Sequence, residues 1–310
     1  MPRTPDGHPD LQGNWTNATL TPFQRAEDHD RLFTWDEVAT LEGRAAGRIE
    51  RVSRRSDPDR PPPSSGGSVG GYNGIYMDQG DVVAIVNGEP RASLLTNPPN
   101  GRRPALTPAG QRRRAERTEF RSQFGEFDNP ETRGLGERCI VSFGTSAGPP
   151  MIPNRAYNNN YTIVQTADYV MIMTEMVHDL RIIRLGEPDP LPAHVKPWFG
   201  DSWGRWEGDV LVVETTNLYP GHPFQGNPVT DDLKVLERFS RVDEETILYE
   251  FTIDDPTIYT SQWGGKVPMR ALNDQIYEYA CHEGNYALSN ILSGERYQER
   301  MKEEAIGARD

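Results

Sequence analysis

The stretch Lys234–Ile253 reads KVLERFSRVDEETILYEFTI. Two alternating runs, Lys234–Arg241 and Thr246–Ile253, flank the polar turn Asp243-Glu244-Glu245, and Asp254-Asp255-Pro256 closes the unit. Side chains of a strand point alternately to opposite faces, so one face of each run is apolar and the pair predicts a β-hairpin. Similar short runs lie to either side. Tyr161–Gln165, Tyr169–Thr174, Leu180–Leu185 and Val210–Thr215 precede it, the last after the turn Glu207-Gly208-Asp209. Lys266–Ala271 and Gln275–Ala280 follow. About eight short strands at this spacing predict a mainly β fold, an antiparallel meander closing as a barrel or sandwich, with a few peripheral helices.

Toward the N-terminus the pattern changes. Thr34 and Glu37 form a capping-box signal, and Val38, Leu41, Ala45 and Ile49 mark one face of a helix. Thr107-Pro108 opens a second helix that runs to about Phe124. Between them, residues 75–96 predict one or two strands. Residues 54–71, rich in Pro, Gly and Ser, predict a mobile loop. A third helix is expected from about Asn285 to Glu304. The organisation expected for residues 1–310 is one β-rich domain. A helical and loop-rich portion (about 1–130) packs on the meander (about 135–285), and the last helix (about 285–304) caps it.

The 310 residues carry 33 basic and 46 acidic side chains, a formal net charge of -13. Such a field repels phosphate backbones and anionic lipid heads, so nucleic acid is not an expected partner. The basic run Gln111-Arg112-Arg113-Arg114, interleaved with Glu116 and Glu119, is expected to be a solvated helix face. No stretch nears the ~18 apolar residues of a membrane span, so no membrane insertion is expected. From the polar start Met1-Pro2-Arg3 no leader is expected in this chain, as for a cytoplasmic protein or a processed one.

Several motifs resemble, together and over nearly the whole chain, a family of uncharacterised bacterial proteins that often carry export signals. They are Pro5-Asp6-Gly7-His8-Pro9-Asp10-Leu11-Gln12-Gly13-Asn14-Trp15, Tyr157-Asn158-Asn159-Asn160-Tyr161, Glu175-Met176-Val177-His178-Asp179, Gly204-Arg205-Trp206-Glu207-Gly208-Asp209 and Tyr279-Ala280-Cys281-His282-Glu283-Gly284-Asn285-Tyr286. The resemblance implies a periplasmic or secreted location and little about chemistry. Gly13-Asn14-Trp15 is also similar to the Gly-x-Trp signature on the first strand of lipocalin-type barrels. Cys139 and Cys281 both lie near predicted strands, and in an oxidising compartment they are expected to pair. Two buried thiols are the alternative in a reduced one.

The densest polar cluster, Glu175 to Arg181, lies between two apolar strands. His178 can move a proton near neutrality, and Asp179 can orient its ring and stabilise the imidazolium. An ion pair of Arg181 with Asp179 or Glu175 is the structural alternative. His282 and Glu283 stand at a strand-to-helix junction, where Gly284 permits a turn and Asn285 can cap the helix. Asn158, Asn160 and Tyr161 offer amide and phenol groups to a substrate, or a polar turn. Trp198, Trp203 and Trp206 supply flat apolar area in a loop.

No Gly-x-Ser-x-Gly elbow, Walker loop or dinucleotide fingerprint follows a strand; Gly144-Thr145-Ser146-Ala147-Gly148 only imitates an elbow. No cofactor is expected, and no metal either, since ligands would have to be scattered over residues such as His178, His282 and Glu283. The expected function is general acid–base catalysis on a hydrophobic or cyclic small molecule in a barrel pocket: elimination, hydration, isomerisation or cyclisation. His178, Asp179, Glu175, His282 and Glu283 would be catalytic. Tyr161, Asn160, Asn158, Trp203, Trp206 and Arg181 would bind substrate. A lipocalin-type binding protein and a metal-dependent hydrolase are the alternatives.

Overall fold

Nine strands close into a barrel in the computed structural model, which describes residues 1–55, 59, 78–142, 148–153, 157–224 and 226–307. The strands are β1 (Gly13–Thr16), β5 (Asn160–Gln165), β6 (Tyr169–Thr174), β7 (Leu180–Leu185), β8 (Asp201–Glu207), β9 (Val210–Thr216), β10 (Lys234–Arg241), β11 (Thr246–Asp254) and β12 (Trp263–Ala271). β1 pairs with both β5 and β12, which removes the two edges of the meander. A short β4 (Leu95–Asn97) joins the free half of β12, and β2 (Ile85–Val86) pairs with β3 (Glu89–Pro90) outside the barrel. The helices are α1 (Trp35–Ser53), α2 (Pro108–Ser122) and α3 (Ala287–Gly307).

The expected antiparallel meander holds except at one place. β7 and β8 are parallel, Arg184 opposite Trp203. An odd number of strands cannot alternate in direction all the way round a closed barrel, so one parallel pair is a geometric necessity. The crossover over residues 186–200 spans the barrel to provide it. The expected strand Gln275–Ala280 is absent; only Tyr279 makes an isolated bridge, to Met176. The barrel is already closed by β1, so no edge remains for a further strand. The N-terminal portion does more than pack on the meander, because β1 and β4 belong to the sheet.

Alternation along each strand fills the interior. Trp15, Tyr161, Ile163, Ile172, Ile183, Phe239, Tyr249 and Trp263 are essentially fully buried. Each such side chain contributes roughly 1.5–3 kcal/mol by leaving water. The segment around Met151 enters the barrel from one end: Met151 is fully buried and its N–H donates to Tyr249 Oη at 2.9 Å. β12 passes close to β4 at Gly265, where a Cβ would stand 2.4 Å from the Leu94 carbonyl oxygen.

The two barrel ends differ. Tight turns at 166–168, 208–209 and 242–245 occupy one, where Arg3 pairs with Asp209 and His8 stacks on Trp206 at 4.5 Å. The longer connections, including 175–179 and 217–233, occupy the other. α1 has the predicted capping box: Thr34 Oγ1 accepts from Glu37 N, and Thr34 N donates to Glu37 Oε2 at 2.7 Å. Of its expected apolar stripe, Val38 and Ala45 are buried and Ile49 is exposed. Thr107 caps α2, with Pro108 at the first helical position. Most of the proline-rich stretch 54–71 lies outside the described residues, as do Gly144 to Ala147 and residues 75–77 of the expected strand region.

Candidate functional site

Five consecutive strands each send one polar side chain into the barrel. Arg181 (β7) forms a forked ion pair with Glu237 (β10), Nη1 donating to Oε1 at 3.0 Å and Nη2 to Oε2. Between them Ser202 (β8) accepts from Arg181 Nε at 3.0 Å and shares a 2.8 Å hydrogen bond with Thr215 (β9). Tyr249 (β11) donates to Glu237 Oε1 at 2.7 Å. Burial and the adjacent carboxylate push the Tyr249 phenol well above its ordinary pKa. Arg181, expected to bind substrate, or to pair with Asp179 or Glu175, instead pairs with Glu237. Position 181 faces the barrel interior, where a guanidinium requires a desolvated carboxylate.

Tyr161 is also interior, its hydroxyl accepting from Asn17 Nδ2 at 3.1 Å; burial raises its pKa. Trp203 and Trp206 lie in strand β8, not in a loop. Three positions apart, they point to opposite faces of the sheet, so they do not share one mouth. Trp198 alone of the three sits in a loop, against Tyr219 at 4.5 Å.

The Glu175–Asp179 cluster forms a tight turn at the long-loop end. Val177 (φ 64°) and His178 (φ 44°) both adopt the left-handed conformation, which costs non-glycine residues roughly 1–2 kcal/mol each. His178 is exposed, while Asp179 is buried and accepts from Ser142 N at 3.4 Å. Glu175 accepts from Asn160 Nδ2 at 2.9 Å and from Tyr277 N at 3.2 Å, tying the chain beyond β12 to the rim. Asn158 accepts from Met176 N at 2.9 Å and donates to Ser142 Oγ at 2.8 Å. The cluster therefore gathers Glu175, Asp179, Asn158 and Asn160 in one hydrogen-bonded rim, with His178 on its outer side.

Cys139 and Cys281 are joined by a disulfide, Cα atoms 5.6 Å apart. Asn285 Nδ2, just before α3, donates to the Glu137 carbonyl at 3.3 Å. Exposed His282 and Glu283 occupy the turn that follows the disulfide. Glu283 lines a cavity of about 320 Å³ with Tyr279, Cys281 and Asn285. Neither His178 nor His282 is among the residues that line this cavity.

A feature that the sequence reading missed lies beside the disulfide-bonded segment. A cavity of about 410 Å³ is lined by Arg117 and Arg121 of α2, by Glu131, Arg133 and Arg138, and by His222 of the β9–β10 connection. Arg133 is held by Glu126 and Glu137, each at 2.7 Å. Arg121 donates to the Thr132 carbonyl at 3.2 Å. The guanidinium groups of Arg117 and Arg138 have no ion pair among the described residues. Burial and the neighbouring Arg121 lower the Arg117 pKa. The four-residue spacing of Arg113, Arg117 and Arg121 puts them on one helical stripe, and this was the only local signal.

His222 brings an imidazole to this cavity. Desolvation holds its pKa below 6.5, so the ring is neutral at pH 7. Its Nδ1 lies 3.4 Å from the Trp198 carbonyl oxygen. A carbonyl only accepts, so Nδ1 carries the proton and Nε2 keeps its lone pair. A neutral imidazole with an available lone pair can take a proton from a molecule in the cavity.

Comparison of the chain with known protein families, characterised proteins and solved structures finds no match. Among the described residues no group of three His, Cys, Asp or Glu is placed to hold a metal ion, and no helix is long and apolar enough to cross a membrane.

Proposed function

We propose that the protein is a cofactor-independent acid–base catalyst acting on a small organic molecule, at the cavity between α2, residues 131–138 and the β9–β10 connection. The observation that carries this reading is His222: neutral, partly buried, anchored through Nδ1, and lining a cavity of about 410 Å³. That volume falls within the roughly 300–1,000 Å³ of small-molecule sites. His222 takes the role that the sequence alone suggested for His178. The base removes a proton from a substrate carbon, or from the attacking water in a hydration, and the imidazolium delivers it to the leaving group in an elimination or to another substrate atom in a hydration or isomerisation. A periplasmic or secreted location suits the Cys139–Cys281 disulfide.

The test screens a small-molecule collection by ligand-observed NMR and follows each binder by mass spectrometry. At least one binder is expected to be converted, with His222→Gln slowing conversion about 10²-fold or more while leaving binding intact. Binders that all emerge unchanged would mean a binding protein. Conversion at an undiminished rate in His222→Gln would remove the assigned base.

A further inference from the structure

We propose that the cavity takes an amphiphilic anion: a carboxylate or phosphate group held between Arg117 and Arg138, joined to an aromatic or alicyclic body that extends past Arg121 onto Phe120 and Phe124. This rests on the cavity being the ligand site proposed above and names the class of molecule it accepts.

The charge distribution is the first argument. The chain carries a net charge of -13, yet four guanidinium groups converge here against the single lining carboxylate of Glu131. Arg133 is neutralised by Glu126 and Glu137, so it serves the scaffold. Among the described residues Arg117 and Arg138 have no ion pair, and Arg117 is partly desolvated beside Arg121. A guanidinium does not escape this repulsion by losing its proton, because its pKa stays far above neutrality. The arrangement is stabilised by an anion whose oxygens accept from more than one guanidinium, and planar carboxylates and phosphates match that fork.

The second argument is the continuity of the surface. A neighbouring cavity of about 470 Å³ shares Arg121 and Glu131 with the first and is lined by Phe120 and Phe124. Both rings are exposed, in edge contact at 5.3 Å. Exposed aromatics beside a charged cavity offer flat apolar area to the part of a ligand that follows the charge. Polar and apolar halves thus adjoin through Arg121, and a small inorganic ion fills only one of them.

The experiment compares phenyl phosphate, benzoate, inorganic phosphate and neutral benzyl alcohol by calorimetry on the full chain, and follows His222 by NMR titration. Phenyl phosphate and benzoate are expected to bind more tightly than inorganic phosphate, and benzyl alcohol not to bind measurably. The double variant Arg117→Gln/Arg138→Gln is expected to weaken both anions at least tenfold. Phe120→Ser should weaken phenyl phosphate while sparing inorganic phosphate. Phe120 is exposed, so this variant keeps the fold. A bound anion should also raise the His222 pKa, a readout independent of turnover. Equal affinity for phenyl and inorganic phosphate would overturn the amphiphilic assignment. Failure of all the anions to bind, or to shift His222, would overturn it entirely. If neutral molecules are nonetheless converted with dependence on His222, the catalytic reading survives that failure. Anion binding without any conversion keeps the ligand class and removes the catalysis.

Discussion

Arg181 and Glu237 meet inside the barrel from strands three apart, with side chains 1% and 0% exposed. Ser202 and Thr215 fill the two intervening strands, and Tyr249 completes the chain of hydrogen bonds on the far side. Burying a charge is costly, so each partner depends on the other. Removing either leaves an uncompensated charge, which typically costs about 3–5 kcal/mol. Glu237→Ala and Arg181→Ala are therefore each expected to lower unfolding stability by about that amount. Arg181→Met/Glu237→Leu together should cost less than either single change. Urea unfolding of the wild type and the three variants checks it; a double variant less stable than both singles would contradict the dependence.

The disulfide links residues 142 apart and fastens the turn before α3 to residues 136–139. Cross-linking a loop of this length restricts the unfolded chain, worth about 2–5 kcal/mol. Cys139→Ser/Cys281→Ser should lower the urea midpoint accordingly and expose the peptide bonds around 281–286 to protease. Thiol titration of the denatured, unreduced protein should find no free thiol.

His178 occupies a left-handed conformation and is exposed, so little packing depends on it. His178→Gly should relieve the strained turn and raise stability by about 0.5–1 kcal/mol, after the entropic cost of glycine. Val177 shares the strain but is buried, so Val177→Gly loses apolar contact as well and should gain less. Thermal unfolding of the two variants makes the comparison. A large loss of stability in His178→Gly would show that the imidazole holds the rim.

Burial depresses the His222 pKa below 6.5. As pH falls below 6.5, the unfolded chain takes up a proton that the folded chain still excludes, so stability declines through that window until the folded-state pKa is passed. His222→Gln should remove this component of the slope between stability and pH. Denaturant midpoints measured from pH 7.5 downward supply the difference. Identical slopes for the two proteins would mean that the ring is not held neutral by burial.

The barrel was largely legible because alternation is a local signal. Ile247, Tyr249, Phe251 and Ile253 occupy every second position, and all face inward. The capping box of α1 was legible for the same reason, since Thr34 and Glu37 sit three residues apart. The strand expected at 275–280 failed because its pattern was sufficient for a strand, but the place beside β12 was taken by β1 and β4.

The site was not legible to the same degree. The sequence by itself determined which residue types could carry charge or protons and which runs would become strands, because those properties belong to single residues and near neighbours. Only the tertiary structure decided that Arg181 answers Glu237, 56 residues away, and that Trp203 and Trp206 part to opposite faces. It also decided that Arg117, Arg138 and His222 surround one cavity. Closure of the barrel sets these distances, and closure is a property of all nine strands together. Desolvation and charge pairing follow from it, so the chemical character of each ionisable group was settled after the fold.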